Sequence, residues 1–135
     1  MRSIFSMLLA LTLAACGGGG GGSDAPANTA CTIPSTTGAA VTVAVSGQTV
    51  NVGSSGQKYA LNVTGSGNTV NVPACAYITT LTVTGSTNTV TMAHTATVED
   101  VVMQVNANAN TVQLPTGSTA SVLDLGSINT VRRNQ

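Results

Sequence analysis

The chain returns five times to Thr-Val, at Thr49, Thr69, Thr89, Thr111 and Thr130. The intervals are 20, 20, 22 and 19 residues. A fixed period of this length is the mark of a repeat architecture, and it limits the fold more than any other feature here. Asn precedes four of the five, as Asn68, Asn88, Asn110 and Asn129, and Gln48 stands in the first. Downstream of each lies an aliphatic pair two residues apart: Val50/Val52, Val70/Val72, Val90/Met92 and Val112/Leu114, with Val131 alone at the end. Upstream the corresponding pairs read Val43/Val45, Leu61/Val63, Leu81/Val83, Met103/Val105 and Leu123/Leu125. Alternation of period two in short segments rich in Val and Thr predicts strands, and no helical period follows residue 16.

Each unit therefore reads as strand, small-residue turn, strand. One architecture that satisfies this is a small all-β solenoid, parallel β-helix-like, of about five coils with a period of about 20 residues. The alternative is an antiparallel sandwich or meander in which each unit is a hairpin. Two features favour the solenoid. A coil of 20 residues has a perimeter of at most about 65 Å and encloses a narrow interior, which aliphatics fill and large aromatics do not. The turns "TGSGN" and "TGSTN" are nearly identical, as superimposed corners require. In this reading Asn68, Asn88, Asn110 and Asn129 form a structural ladder. Each bonds backbone of its own turn, tolerates left-handed geometry, and meets its neighbours from coil to coil. Thr faces out and Val faces in.

Ahead of the repeats lies an export pattern. Met1-Arg2-Ser3 is a positive start, and Ile4 to Leu13 is an apolar run too short to span a bilayer. It closes on Leu13-Ala14-Ala15-Cys16, which resembles the lipobox of bacterial lipoproteins. That resemblance implies cleavage after residue 15, a diacylglycerol on the Cys16 thiol and an acyl chain such as palmitate on the new amino terminus. Two or more chains anchor stably, where one does not. Gly17, in place of an Asp, leans toward the outer membrane in a Gram-negative envelope. Residues 16–30 read as lipidated Cys and glycine-rich tether, with a reach of roughly 20 Å. Residues 31–135 remain as one repeat β domain of about 105 residues. With Cys16 assigned to lipid, Cys31 and Cys75 are left. In an exported chain an even remainder predicts one disulfide, closing a loop of about 45 residues and contributing ~4 kcal/mol in the chain-entropy picture.

The repeat itself is similar to a domain-of-unknown-function family in bacterial exported proteins and lipoproteins, built from units of the type G-S-x-N-T-V. The matching stretches are Gly65-Ser66-Gly67-Asn68-Thr69-Val70, Gly85-Ser86-Thr87-Asn88-Thr89-Val90 and Gly126-Ser127-Ile128-Asn129-Thr130-Val131, within residues 41–133. One unit departs, with Ala107 and Ala109 where glycines would sit, and the first lacks the Asn. The resemblance implies repeat β architecture and brings no catalytic residue.

Chemistry-bearing residues are sparse. Past residue 30 the charged side chains are Lys58, Glu99, Asp100, Asp124, Arg132 and Arg133, and the aromatics are Tyr59 and Tyr77. No basic patch of the kind nucleic acid requires is present. His94 is the single histidine and reads as a surface or corner residue rather than a base or ligand. Glu99 and Asp100 are adjacent, so on a regular strand they face opposite ways. Asp124 aligns with Asn62, Thr82 and Gln104, so no carboxylate pair converges for glycan cleavage. The turns carry Asn without Asp, which gives calcium too little charge. The expectation is no enzyme, no cofactor and no metal.

A surface reading remains. The Thr49, Thr69, Thr89, Thr111 and Thr130 column should be outward and regular, followed by Asn51, Asn71, Thr91, Gln113 and Arg132. Only Thr89-Val90-Thr91 matches the Thr-x-Thr rank of ice-binding surfaces. The partners expected are membrane lipid through acylated Cys16, and an envelope protein. The alternative is a glycan- or peptidoglycan-binding module using the Thr face with Tyr59 and Tyr77, and a third reading is a small envelope enzyme around His94.

Overall fold

The computed structural model describes residues 30–134. Within them are ten strands: β1 (Val41–Val43), β2 (Thr49–Asn51), β3 (Lys58–Val63), β4 (Thr69–Val72), β5 (Tyr77–Val83), β6 (Thr89–Met92), β7 (Thr97–Met103), β8 (Thr111–Leu114), β9 (Ser121–Asp124) and β10 (Thr130–Arg133). The odd-numbered strands form one five-stranded sheet in the order β1-β3-β5-β7-β9, and the even-numbered strands form a second in the same progression. Every pairing is parallel. The fold is thus a β-solenoid of five coils, and the hairpin alternative is excluded because consecutive strands lie in different sheets. Each coil runs odd strand, Asn corner, even strand, second corner.

Like residues stack on like. In the odd sheet Leu61 pairs with Leu81 and then Val101, and Val63 with Val83 and then Met103. In the even sheet Val70 pairs with Val90 and Val90 with Val112. All of these are buried and form one core between the sheets. Each fully buried aliphatic of this size contributes about 1.5–3 kcal/mol. Because both sheets, the core and the disulfide lie within residues 31–133, this segment buries its own apolar surface.

The upstream register differs from expectation in three coils. Leu61/Val63 and Leu81/Val83 are core pairs as read, but in the first coil the pair is Val41/Val43 and in the fourth Val101/Met103. Val45 and Val105 lie in corners, 43% and 67% exposed. The corner of coil four, residues 104–110, is two residues longer than its neighbours, which explains the interval of 22 and displaces Val105 outward. In coil five the pairing falls on Val122 and Asp124, and Leu123 and Leu125 are exposed. Asp124 therefore occupies the inward column after Met103, not the outward column of Asn62 and Thr82.

A second departure lies at residues 79–80 and 99–100. Tyr59 pairs with Ile78 and Leu61 with Leu81, so β5 holds one residue more than β3. This bulge carries on into β7 and places Glu99 and Asp100 both on the exposed side. Strict alternation could not anticipate it.

The incoming chain is fixed at two points. Cys31 and Cys75 form a disulfide with a Cα–Cα distance of 5.1 Å. Further on, Thr37 bridges Lys58 in parallel, with Gly38 N donating to Lys58 O and Lys58 N to Thr36 O. Residues 36–38 thus extend the odd sheet ahead of β3.

Candidate functional site

Among the described residues, the Asn corners carry a continuous column of side-chain hydrogen bonds. Asn68, Asn88 and Asn110 are each 1% exposed. Each reaches toward the preceding coil. Asn68 Nδ2 donates to Val45 O (2.7 Å), Asn88 Nδ2 to Gly65 O (2.9 Å), Asn110 Nδ2 to Gly85 O (3.0 Å) and Asn129 Nδ2 to Ala107 O (2.8 Å). Each Oδ1 accepts from the main-chain N–H of the preceding coil: Gln48 N to Asn68, Asn68 N to Asn88, Asn88 N to Asn110 and Asn110 N to Asn129, at 2.8–3.1 Å. Asn88 and Asn110 also donate to the Oδ1 of the next Asn, at 3.2 and 3.1 Å. No buried side-chain nitrogen or oxygen among the described residues lacks a partner.

The ladder therefore exists, but its wiring differs from expectation. The Asn68, Asn88 and Asn110 side chains bond neighbouring coils rather than their own turn, and only Asn129 adds a bond within its own coil, to Asp124 Oδ1. Nor does Asn take the left-handed backbone. The residue before it does: Gly47, Gly67, Thr87, Ala109 and Ile128 have φ of 68°, 70°, 58°, 55° and 59°. A serine ladder, absent from the sequence reading, runs alongside. Ser46 Oγ accepts from Ser66 N and Ser66 Oγ from Ser86 N, both at 3.1 Å, and Asn108 Oδ1 takes the same role for Ser127 N at 3.2 Å. The recurring Gly-Ser pair signalled it. The glycine is needed because a Cβ at Gly65, Gly85 or Gly126 would overlap the carbonyl oxygen of Val45, Gly65 or Ala107 respectively.

The Thr column is outward and in register, with Thr49, Thr69, Thr89, Thr111 and Thr130 paired in sequence across the even sheet. Beside it Asn51, Asn71, Thr91, Gln113 and Arg132 form the second column, with Asn71 Nδ2 donating to Asn51 Oδ1 at 2.9 Å. This face is polar and regular.

The tyrosines do not join it. Tyr59 is 1% exposed, turned into the core on the odd sheet, with its hydroxyl donating to Gly53 O at 3.3 Å. Its inward place follows from alternation with Leu61 and Val63, and burial raises its phenol above the usual 10.0. Tyr59 is therefore no platform for a ligand. Tyr77 lies on the outer side of the odd sheet, across the solenoid from the Thr column. Its hydroxyl donates to Glu99 Oε1 at 2.6 Å, and Lys58 Nζ stands 4.6 Å from its ring centroid and 3.9 Å from Glu99 Oε1. The hydrogen bond to Glu99, then desolvation and the nearby negative charge, raise the Tyr77 phenol above its ordinary value. At neutral pH it is a donor, not a base.

His94 is exposed in the corner of residues 93–96. No group of three or more His, Cys, Asp or Glu that could hold a metal ion occurs among the described residues. An open groove of about 470 Å³ lies at the N-terminal end, between β1 and β2, and its lining mixes Val41, Val43, Val50 and Val52 with Thr42, Gln48 and Thr49. It is the interior of the first coil seen end-on. Cys16 lies outside the described residues. Searches against family models, curated proteins and solved structures returned no match.

Proposed function

We propose that this chain is a non-catalytic, lipid-anchored display or interaction module of the bacterial cell envelope. The observation that carries the reading is the contrast between the ladder and the faces. Asn68, Asn88 and Asn110 are buried and spend their amides on neighbouring coils, so the recurring motif serves the rod itself. What the rod offers outward is a register-matched column of threonines beside a column of amides. In this account Cys16 carries the lipid, residues 17–30 give reach, and the disulfide fastens the tether to the second coil. An outer-membrane location fits Gly17 after the cysteine.

Two experiments test the proposal. Cys16→Ser should move the protein from the membrane fraction to the soluble fraction, and continued retention would sink the anchoring claim. Residues 26–135 should not co-sediment saturably with purified peptidoglycan or envelope polysaccharide. Saturable binding would instead establish the glycan-docking alternative, which with Tyr59 buried rests on Tyr77 alone among the aromatics.

A further inference from the structure

The inter-coil contact is itself an interface whose rules can be read. A coil that stacks on a preceding one needs three things. It needs no Cβ opposite the preceding carbonyl at the corner, which Gly65, Gly85 and Gly126 provide. Ala107 is the exception, and the longer corner of coil four carries its methyl fully inside. It needs an Asn whose Oδ1 caps the preceding Asn N–H and whose Nδ2 meets the preceding carbonyl. It also needs aliphatic side chains in the inward columns.

A parallel solenoid with uncovered ends could satisfy the same rules with a second copy of itself. The last coil offers parallel edges in β9 and β10, the half-buried Val131 and the exposed Val122. The first coil offers β1 and β2 edges and the open groove between them, where Val41, Val43, Val50 and Val52 lie. Such open edges are a route to fibres.

At both ends the rules are broken at the positions that matter. The first coil has Val45 in the glycine column, established by Asn68 Nδ2 bonding Val45 O as Asn88 Nδ2 bonds Gly65 O. In a head-to-tail stack its Cβ would overlap the Gly126 carbonyl of the preceding copy, as a Cβ on Gly126 would overlap Ala107 O. The same coil has Gln48 in the Asn column, one methylene too long. The last coil has charges in both inward columns, Asp124 after Met103 and Arg133 after Leu114. Both charges are held by local bonds. Asp124 Oδ1 accepts from Gly126 N (3.0 Å) and Asn129 Nδ2 (2.8 Å), and Arg133 donates to Ser118 O (3.0 Å) and Ala120 O (3.2 Å). A second copy stacked there would bury them against Val43 and Val52 of its own first coil, which is strongly unfavourable.

We infer that the solenoid carries a latent head-to-tail interface for a second copy of this chain, closed by Val45 and Gln48 at one end and by Asp124 and Arg133 at the other. Interior coils lack these residues because they must stack, and the end coils have them because they must not.

The test opens one end at a time in residues 26–135. One variant carries Val45→Gly and Gln48→Asn, the other Asp124→Val and Arg133→Leu. Each alone keeps one closed end, so each should sediment as a monomer, as should the parent. Mixed one to one, the open first coil of the first variant meets the open last coil of the second, and the sedimenting mass should double. Far-ultraviolet circular dichroism and thermal unfolding verify that both variants are folded. If Asp124→Val disrupts its corner, Asp124→Asn with Arg133→Leu removes the charges and keeps an acceptor for Gly126 N. End-to-end oligomers of the parent protein, or a mixture of folded variants that stays monomeric, would overturn the inference.

Discussion

Replacing Asn88 by Ala isolates what the ladder contributes. The substitution removes the acceptor of Asn68 N–H at 2.9 Å and the donor to Gly65 O at 2.9 Å. Asn88 N keeps its bond to Asn110 Oδ1. Two main-chain groups are thus left without partners where the flanking Asn68 and Asn110 are 1% exposed. An orphaned buried polar group costs about 1–3 kcal/mol. Allowing for partial water penetration, the loss should be about 3 kcal/mol, a drop in Tm of roughly 12–20 °C for a domain of this size. Asn129→Ala removes the same two kinds of bond, to Asn110 N and Ala107 O, at the solvated end of the rod. Water can replace them there, and the loss should be about 1 kcal/mol. Urea denaturation of residues 26–135, with one set of baselines for all variants, reads both values. The reasoning fails if Asn88→Ala lies within about 1 kcal/mol of the parent, or if Asn129→Ala costs as much as Asn88→Ala.

Other perturbations follow from the same geometry. Gly85→Ala would drive a methyl into Gly65 O and should destabilise by about 2–3 kcal/mol, whereas Gly53→Ala, with no neighbour near its added methyl, should stay within about 0.5 kcal/mol, both by denaturant melts. Ile128→Gly relieves a β-branched residue at φ 59° whose side chain is 85% exposed, and should raise stability by about 1 kcal/mol. Both tyrosines should titrate above 10.0 by ultraviolet absorbance, and in Tyr77→Phe the remaining step belongs to Tyr59. Because both folded values are raised, their contribution to stability is complete below 10.0 and fades as pH climbs through the folded values, so an alkaline melt of Tyr77→Phe should show a weaker pH dependence than the parent.

The fold was legible because its signal is periodic. The Thr-Val columns and the downstream pairs fall in the observed register throughout, and the Cys31–Cys75 bridge followed from parity. The upstream register was legible only in coils two and three. Val41 and Val122 both stand eight residues before their Thr, as Leu61 and Leu81 do, but Val45, Val105 and Leu125 imitate core positions because nothing in an aliphatic side chain marks it as a corner. The extra residue that β5 and β7 share relative to β3 shows in the sequence only as a doubled polar pair, Thr79-Thr80 and Glu99-Asp100, which strict alternation does not provide for. The sequence offers Tyr59 as an aromatic platform for a glycan, although its alternation with Leu61 and Val63 points inward. The wiring of the Asn column needed three dimensions: sequence shows which residues recur, and not which coil they reach.

The most direct test of the account is amide hydrogen exchange by NMR on residues 26–135. If the repeat exists to bind coil to coil, the N–H groups of Asn68, Asn88 and Asn110, each donated to the Oδ1 of the next Asn, belong to the slowest class, and Asn129 N–H at the last coil exchanges far faster. Fast exchange at Asn68, Asn88 and Asn110 alike would contradict it, and would return the Asn-Thr-Val motif to the list of surfaces awaiting a ligand.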